Sequence, residues 1–250
     1  MAILYVASEA FELQPFASLL TGLRKLKWPI DYAFEGIWEG RRVMLAANGA
    51  GPQLAARAVE VAIRAVTAAE LSASKLEAVV STGLCGGLLP ELHHRQIIVA
   101  SQVLDAQTRE LFDCAGILTT PEATSGIVVT QNCIALDTAE KNHLATLGAS
   151  AVDMEAAGVA ARAKRAGLPF SCIKVVLDPL QESFGFDLNA LRTTEGRISR
   201  GKISLYAVTH PNLVPELLRL KRRTQHAAKA LGEFLVSCRI SAEPNTTSSQ

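Results

Sequence analysis

Short apolar runs and longer amphipathic stretches take turns along this chain. Residues 3–7, 76–81, 96–103, 127–129 and 170–177 are mostly apolar runs of strand length. Residues 9–20, 52–69, 136–147, 201–209 and 214–236 read as helices, and Phe11, Phe16, Leu19 and Leu20 are available for the inner face of the first. Residues 32–38 and 42–47 read as a hairpin turning at Glu39-Gly40-Arg41, and Pro52 stands where a helix tolerates proline best, at its first position. Residues 111–125 hold glycine, proline and threonine clusters and predict irregular chain. Strands alternating with helices, with no internal repeat, predict one α/β domain over residues 1–238, a central mixed sheet flanked by helices in three αβα layers. The polar residues 239–250 predict a disordered tail.

One stretch organises the rest. Residues 151–178 read as an acidic turn, an alanine-rich helix opening at Glu155 and Ala156, a stop at Gly167 and Pro169, and a buried strand ending on Asp178. Ligands of open α/β sheets bind beyond the carboxyl ends of the strands, so this unit can bring Glu155 and Asp178 to one sheet edge. Glu12 lies near the first strand-to-helix junction. Taken singly, Glu155 is as readily a first-turn acid favoured by the helix dipole, and Asp178 a cap for the residues after Pro179. Their joint placement beside glycine-rich segments at 48–51 and 82–87 favours a site.

Composition narrows the classes. Apolar residues at 49% and charged residues at 20% predict a sizeable core. A net charge of +1 and 5% aromatic residues give no reason to invoke nucleic acid. Five cysteines, none in C-x-x-C, predict reduced thiols in a cytosolic protein. The N-terminus lacks a basic n-region and no apolar run reaches transmembrane length, which predicts a soluble, cytoplasmic chain. Residues 82–87 match neither the P-loop nor G-x-G-x-x-G, and alone they are more readily a tight turn. His93 and His94 lie in a polar connection, and His143, His210 and His226 lack ligand spacing, so solvated histidines and no metal are expected. No serine sits in G-x-S-x-G.

The V-D-M-E-A-A run at 152–157, the T-G-x-x-G-G segment at 82–87 and the strand ending in Asp178 resemble the nucleoside phosphorylase/nucleosidase superfamily, with 5′-methylthioadenosine/S-adenosylhomocysteine nucleosidases as the nearest fold relatives. Leu177-Asp178-Pro179, Phe186-Asp187-Leu188, Gly201-Lys202 and H-P-N-L-V-P-E-L-L-R-L at 210–220 resemble its hopanoid-associated phosphorylase branch. The likeness runs from residue 1 to about 236. It implies cleavage of the N-glycosidic bond of a 5′-substituted adenosine with release of adenine, adenosylhopane being the favoured substrate. Asp178 would be the general acid at purine N7, and Glu12 would hold or activate the attacking water. Glu155 would accept hydrogen bonds from the ribose hydroxyls, with Asp153 beside it and Met154 under the sugar. Thr82, Gly83, Cys85 and Gly86 would line the pocket. The resemblance implies no cofactor, phosphate being a co-substrate only in a phosphorylase, and it implies a homodimer.

Two departures bear on that reading. Leu177 stands where the family usually has serine, and Val79-Val80-Ser81-Thr82 carries no arginine ahead of the glycine segment. A phosphate oxyanion favours a charge-assisted donor, so hydrolysis is favoured over phosphorolysis unless Arg24 or Arg57 reaches the site. A phosphate-dependent phosphorylase or a smaller 5′-thioadenosine substrate is the alternative within the class. A catalytically weakened nucleoside-binding protein is the alternative outside it. Residues 181–187, with Phe184 and Phe186, are a candidate lid. In the last helix Leu213, Leu217, Leu220, Ala227, Leu231 and Phe234 form an apolar stripe, against Arg219, Lys221, Arg222, Arg223 and Lys229. Packing on the sheet with a solvated basic face explains this. Peripheral contact with anionic lipid at the inner membrane face, suited to a lipid-linked nucleoside, is the sharper alternative.

Overall fold

A computed structural model describes the chain except for residues 69–74, 120–121, 194–196, 198–201, 203–205, 207 and 241–250. Strand β1 (Ala2–Ala7) is buried along its length and pairs in parallel with β4 (Arg41–Ala47) and β5 (Leu76–Gly87). Burial on both faces is why its six positions are apolar without alternation. Strand β3 (Tyr32–Trp38) folds back on β4 through Glu39 and Gly40, both at positive φ (46° and 75°), as a two-residue hairpin turn requires. An unpredicted strand, β2 (Thr21–Lys25), forms the exposed edge.

On the other side of β5 the sheet closes on itself. Strand β11 (Phe170–Asp178) runs parallel to β5 and antiparallel to β6 (Ile97–Asp105), which is followed by β9 (Thr124–Thr130) and β10 (Ala151–Asp153). Strand β10 then pairs antiparallel with the end of β5, Val152 opposite Gly86. The strands β5, β11, β6, β9 and β10 thus make a closed ring. This pairing corrects two expectations: residues 82–87 are the end of a strand, not a loop, and the acidic turn at 151–153 is a strand.

Helices α1 (Ala10–Ala17) and α5 (Val214–Leu235) cover one face of the sheet, α2 (Pro52–Ala68) and α4 (Ala156–Arg165) the other, and α3 (Thr138–Ala145) packs beside β10. The first helix stops at Ala17, so Phe16 and Leu20 are buried while Phe11 and Leu19 are 36% and 43% exposed, against the expected inner face. Residues 111–125 are more regular than expected. They hold β7 (Leu111–Asp113), paired with β6, and β8 (Ile117–Thr119), paired with β12 (Cys238–Ile240). Strand β12 therefore takes in Arg239 and Ile240 of the expected tail, and the rest of that tail lies outside the described residues. Most of the helix expected at 201–209 lies outside them too. Among the described residues no helix is long and apolar enough to cross a membrane.

The α2–α4 contact explains one glycine. A Cβ on Gly158 would come within 2.0 Å of the Pro52 carbonyl oxygen, so the two backbones touch there. Gly158→Ala is expected to destabilise the fold by about 1–3 kcal/mol, the usual cost of overpacking, read as a lower urea midpoint. An unchanged midpoint would mean that the helices separate freely.

Candidate active site

The carboxyl ends of β1, β5, β10 and β11 meet at a cleft with about 960 Å³ of free space, counting its open mouth. Glu12, Glu155 and Asp178 all line it, although each is at least 94% buried. Three chain segments bring them there.

Glu12 belongs to the capping box that opens α1. Its Oε2 accepts from the Glu9 backbone N–H (2.8 Å) and the Ser8 hydroxyl (2.9 Å), and its Oε1 from the Leu84 N–H (2.9 Å). Gly83 makes room for this. With φ at +122°, a Cβ there would lie 2.8 Å from Glu12 Oε1.

Glu155 precedes α4 and accepts from the Gly51 N–H through Oε1 (3.1 Å). The α4 end is capped by Asp153 instead, whose Oδ2 accepts from the N–H groups of Glu155 (3.2 Å) and Ala156 (2.9 Å). Asp153 Oδ1 accepts from the Thr130 hydroxyl (2.6 Å), and Oδ2 pairs with Lys174 Nζ at 2.7 Å. Lys174 has no exposed surface, donates to the Thr82 carbonyl (3.1 Å) and lies 3.9 Å from Glu155 Oε2. Burial works against its charge, but Asp153, Cys172 and Glu155 together outweigh that and hold its proton affinity above the lysine norm. Burial pushes the Glu155 carboxyl up to about 8, with Lys174 opposing and Asp153 and Glu12 adding to the rise.

Asp178 closes β11. Its Oδ2 pairs at 2.6 Å with Lys141 Nζ, from α3, another side chain with no exposed surface. Burial pushes Asp178 up to about 6, against the pull of Lys141. The preceding carbonyl, of Leu177, accepts from Arg223 Nη2 (2.9 Å) and from His94 Nδ1 (3.0 Å). Arg223 therefore turns inward, also pairing with Glu182, and is not on the solvated face expected of it. His94 is likewise half-buried, not solvated.

Of the other expected site residues, Met154, Cys85 and Gly86 line the cleft, and burial raises the Cys85 thiol. Thr82 and Gly83 do not line it. They lie behind it, with Thr82 fully buried and its hydroxyl without a partner among the described residues. Asp153 reaches the cleft wall, but its oxygens are engaged by protein donors. Arg24 pairs with Glu35 far along the sheet, and Arg57 lines a neighbouring polar cleft. Among the described residues the cation at the main cleft is Arg192, unforeseen, which donates to the carbonyls of Asn132 (2.9 Å) and Ala50 (3.4 Å). Phe184 lines the cleft, whereas Phe186 is buried and packs against the Tyr206 ring in a tilted arrangement. Among the described residues no group of three His, Cys, Asp or Glu could hold a metal.

A sheet whose central strands end on a cleft with buried carboxylates defines an α/β enzyme acting on a small molecule. The sequence model of the phosphorylase superfamily matches residues 2–118 and 106–200. The chain belongs to that superfamily, whose enzymes are nucleoside phosphorylases and nucleosidases. Solved structures share the fold at low identity. A 5′-methylthioadenosine/S-adenosylhomocysteine nucleosidase from S. pneumoniae superposes with a TM-score of 0.70 at 14% identity, over 95% of this chain and 97% of that one. The corresponding nucleosidase of Campylobacter jejuni gives 0.68 at 15%, over 94% and 97%. A futalosine hydrolase mutant of Helicobacter pylori gives 0.68 at 13%, over 95% and 97%. No curated protein matches the sequence.

The raised Glu155 has a testable sign. A carboxyl whose folded value lies above its ordinary 4.5 contributes stability at low pH and loses it as pH rises to about 8. Asp178 completes the same loss by about pH 6, so the fall above that belongs to Glu155. Melting temperature is expected to drop between pH 6 and 8, and Glu155→Gln to flatten that drop. Parallel slopes in the two proteins would refute the assignment.

Proposed function

We propose that this protein cleaves the N-glycosidic bond of a 5′-substituted adenosine with water, releasing adenine. The observation that carries this reading is Asp178, buried in the same cleft as Glu155 and raised by that burial to about 6, so that it holds its proton up to mildly acidic pH. Asp178 gives its proton to N7, so the base departs as a neutral molecule. Glu155 takes the ribose hydroxyls, and Met154 packs under the sugar. As positive charge grows on the ring, the Glu12 carboxylate, already fixed by three donors, orients the attacking water and accepts its proton. Hydrolysis is favoured over phosphorolysis because, among the described residues, the one cation lining the cleft, Arg192, is bound to two carbonyls.

Adenosylhopane is the favoured substrate. Phe11, Ile134, Phe184, Leu188 and Leu220 give the cleft apolar walls, which suit a hydrocarbon substituent better than a charged one. Arg219, Lys221, Arg222 and Lys229 remain exposed on α5, and they support peripheral contact with an anionic membrane. The cysteine usage supports a cytoplasmic setting, and the resemblance supports a homodimer.

A panel of 5′-substituted adenosines, incubated with and without phosphate and read by adenine and sugar product, tests the reaction. Phosphate-independent release of adenine is expected, and a sugar 1-phosphate product would replace hydrolysis by phosphorolysis. Asp178→Asn should lower kcat/KM by about 10²–10⁴. In the wild type kcat/KM should fall as pH rises past about 6, where Asp178 loses its proton. Nucleoside binding with turnover unaffected by Asp178→Asn would remove the acid. Co-sedimentation should favour anionic vesicles over neutral ones, and equal binding would argue against the membrane contact.

A further inference from the structure

The ammonium of Lys141 has three N–H donors and three acceptors: Asp178 Oδ2 at 2.6 Å, the Pro179 carbonyl at 2.8 Å and the Glu182 carbonyl at 2.8 Å. With no exposed surface, it has no water to exchange them for. Among the described residues it is the one side-chain donor on Asp178, since Leu177 offers none. Gly86 keeps the same oxygen accessible, because a Cβ there would lie 3.2 Å from Oδ2.

We propose that Lys141 is the positioning residue for Asp178, anchoring one carboxylate oxygen and the adjoining turn so that the other oxygen is left for the leaving base. This deepens the function proposed above and rests on Asp178 being its acid. The same ammonium acts on the proton. Burial pushes Asp178 up, and Lys141 is the main force in the other direction. The other groups facing Asp178 are Glu182 from the adjoining turn, Arg223 from α5, and the buried thiol of Cys85 on β5. His94 acts one residue away, on the Leu177 carbonyl. Glu182 and Arg223 oppose each other and are themselves paired, which leaves Lys141 in control.

Lys141→Gln keeps donors for the two carbonyls and removes the charge. Carboxyl ¹³C NMR of the substrate-free protein should then show the Asp178 midpoint raised by about 1–3 pH units, the effect of losing an opposite charge at contact. Lys141→Arg should bring it back, and the alkaline limb of adenine release should move with it. A lysine of purely structural use would lower stability and leave the midpoint in place, and that result would overturn the proposal. The wild type gives a second reading should Lys141→Gln not fold. The ¹⁵N signal of Lys141 Nζ should track the Asp178 titration with the same midpoint, and a signal that ignores it would overturn the pairing. Both titrations need no substrate. Absence of adenine release with the titrations as expected would therefore sink the proposed reaction and leave the coupling standing.

Discussion

A charged amine at the centre of the sheet, Lys174, sets the terms for most of this structure. A buried charge without a partner is too costly to keep, so Lys174 on β11 binds the Thr82 carbonyl on β5 and the Asp153 carboxylate at the end of β10. Those contacts join three strands of the closed ring at one point. Asp153 then passes the constraint on, capping α4 and accepting from Thr130, whose own oxygen accepts from the Ala157 N–H at 3.0 Å. The direction in which α4 leaves the sheet, and with it the position of Glu155, is set by one ion pair. Removing either partner would leave the other uncompensated, at about 3–5 kcal/mol.

The two cleft acids Glu155 and Asp178 differ through the same physics. Both are buried, and burial is the leading cause of the rise in each. Asp178 has an ammonium at 2.6 Å, and its carboxyl rises only to about 6. Glu155 stands 3.9 Å from an ammonium that Asp153 already holds, and rises to about 8. Distance to the nearest uncommitted positive charge thus separates an acid that can lose its proton near neutrality from one that keeps it. Assigning opposite roles to two carboxylates in one cleft is what such unequal environments allow.

Features that depend on near neighbours in the chain were legible in the sequence. Gly167 at the end of α4 does adopt a positive φ (63°), and the apolar run 170–177 is a strand that delivers Asp178 to its end. The hairpin at Glu39-Gly40 is equally local. Residues 82–87 mislead because glycines weaken a strand in isolation, whereas here β10 and β11 pair with them from both sides. Strand β10 has only three residues, too few for a period to show. Lys174 and Lys141 carry a faint signal at most, a lysine interrupting an apolar run and another inside an unremarkable polar helix. Their partners are set by ring closure and by the packing of α3, which no local pattern encodes.

Helix α5 shows how far the site reaches beyond its acids. Its inner face packs on α1 so closely that a Cβ on Gly232 would lie 2.8 Å from Pro15 and from the Phe16 nitrogen. That contact fixes the rotation of the helix, and the rotation decides everything it presents. Leu220 and Thr224 then face the cleft, and Arg223 reaches the Leu177 carbonyl beside Asp178. Glu216 accepts from the Gly185 N–H at 2.9 Å, next to Phe184 in the cleft wall. The turn after β11 is therefore held from two sides, by α5 through Arg223 and Glu216 and by α3 through Lys141. A turn so restrained behaves as a wall of the cleft more than as a lid over it. The pocket's shape is then set by helix packing, and the glycine at the α1–α5 crossing governs a cleft it does not touch.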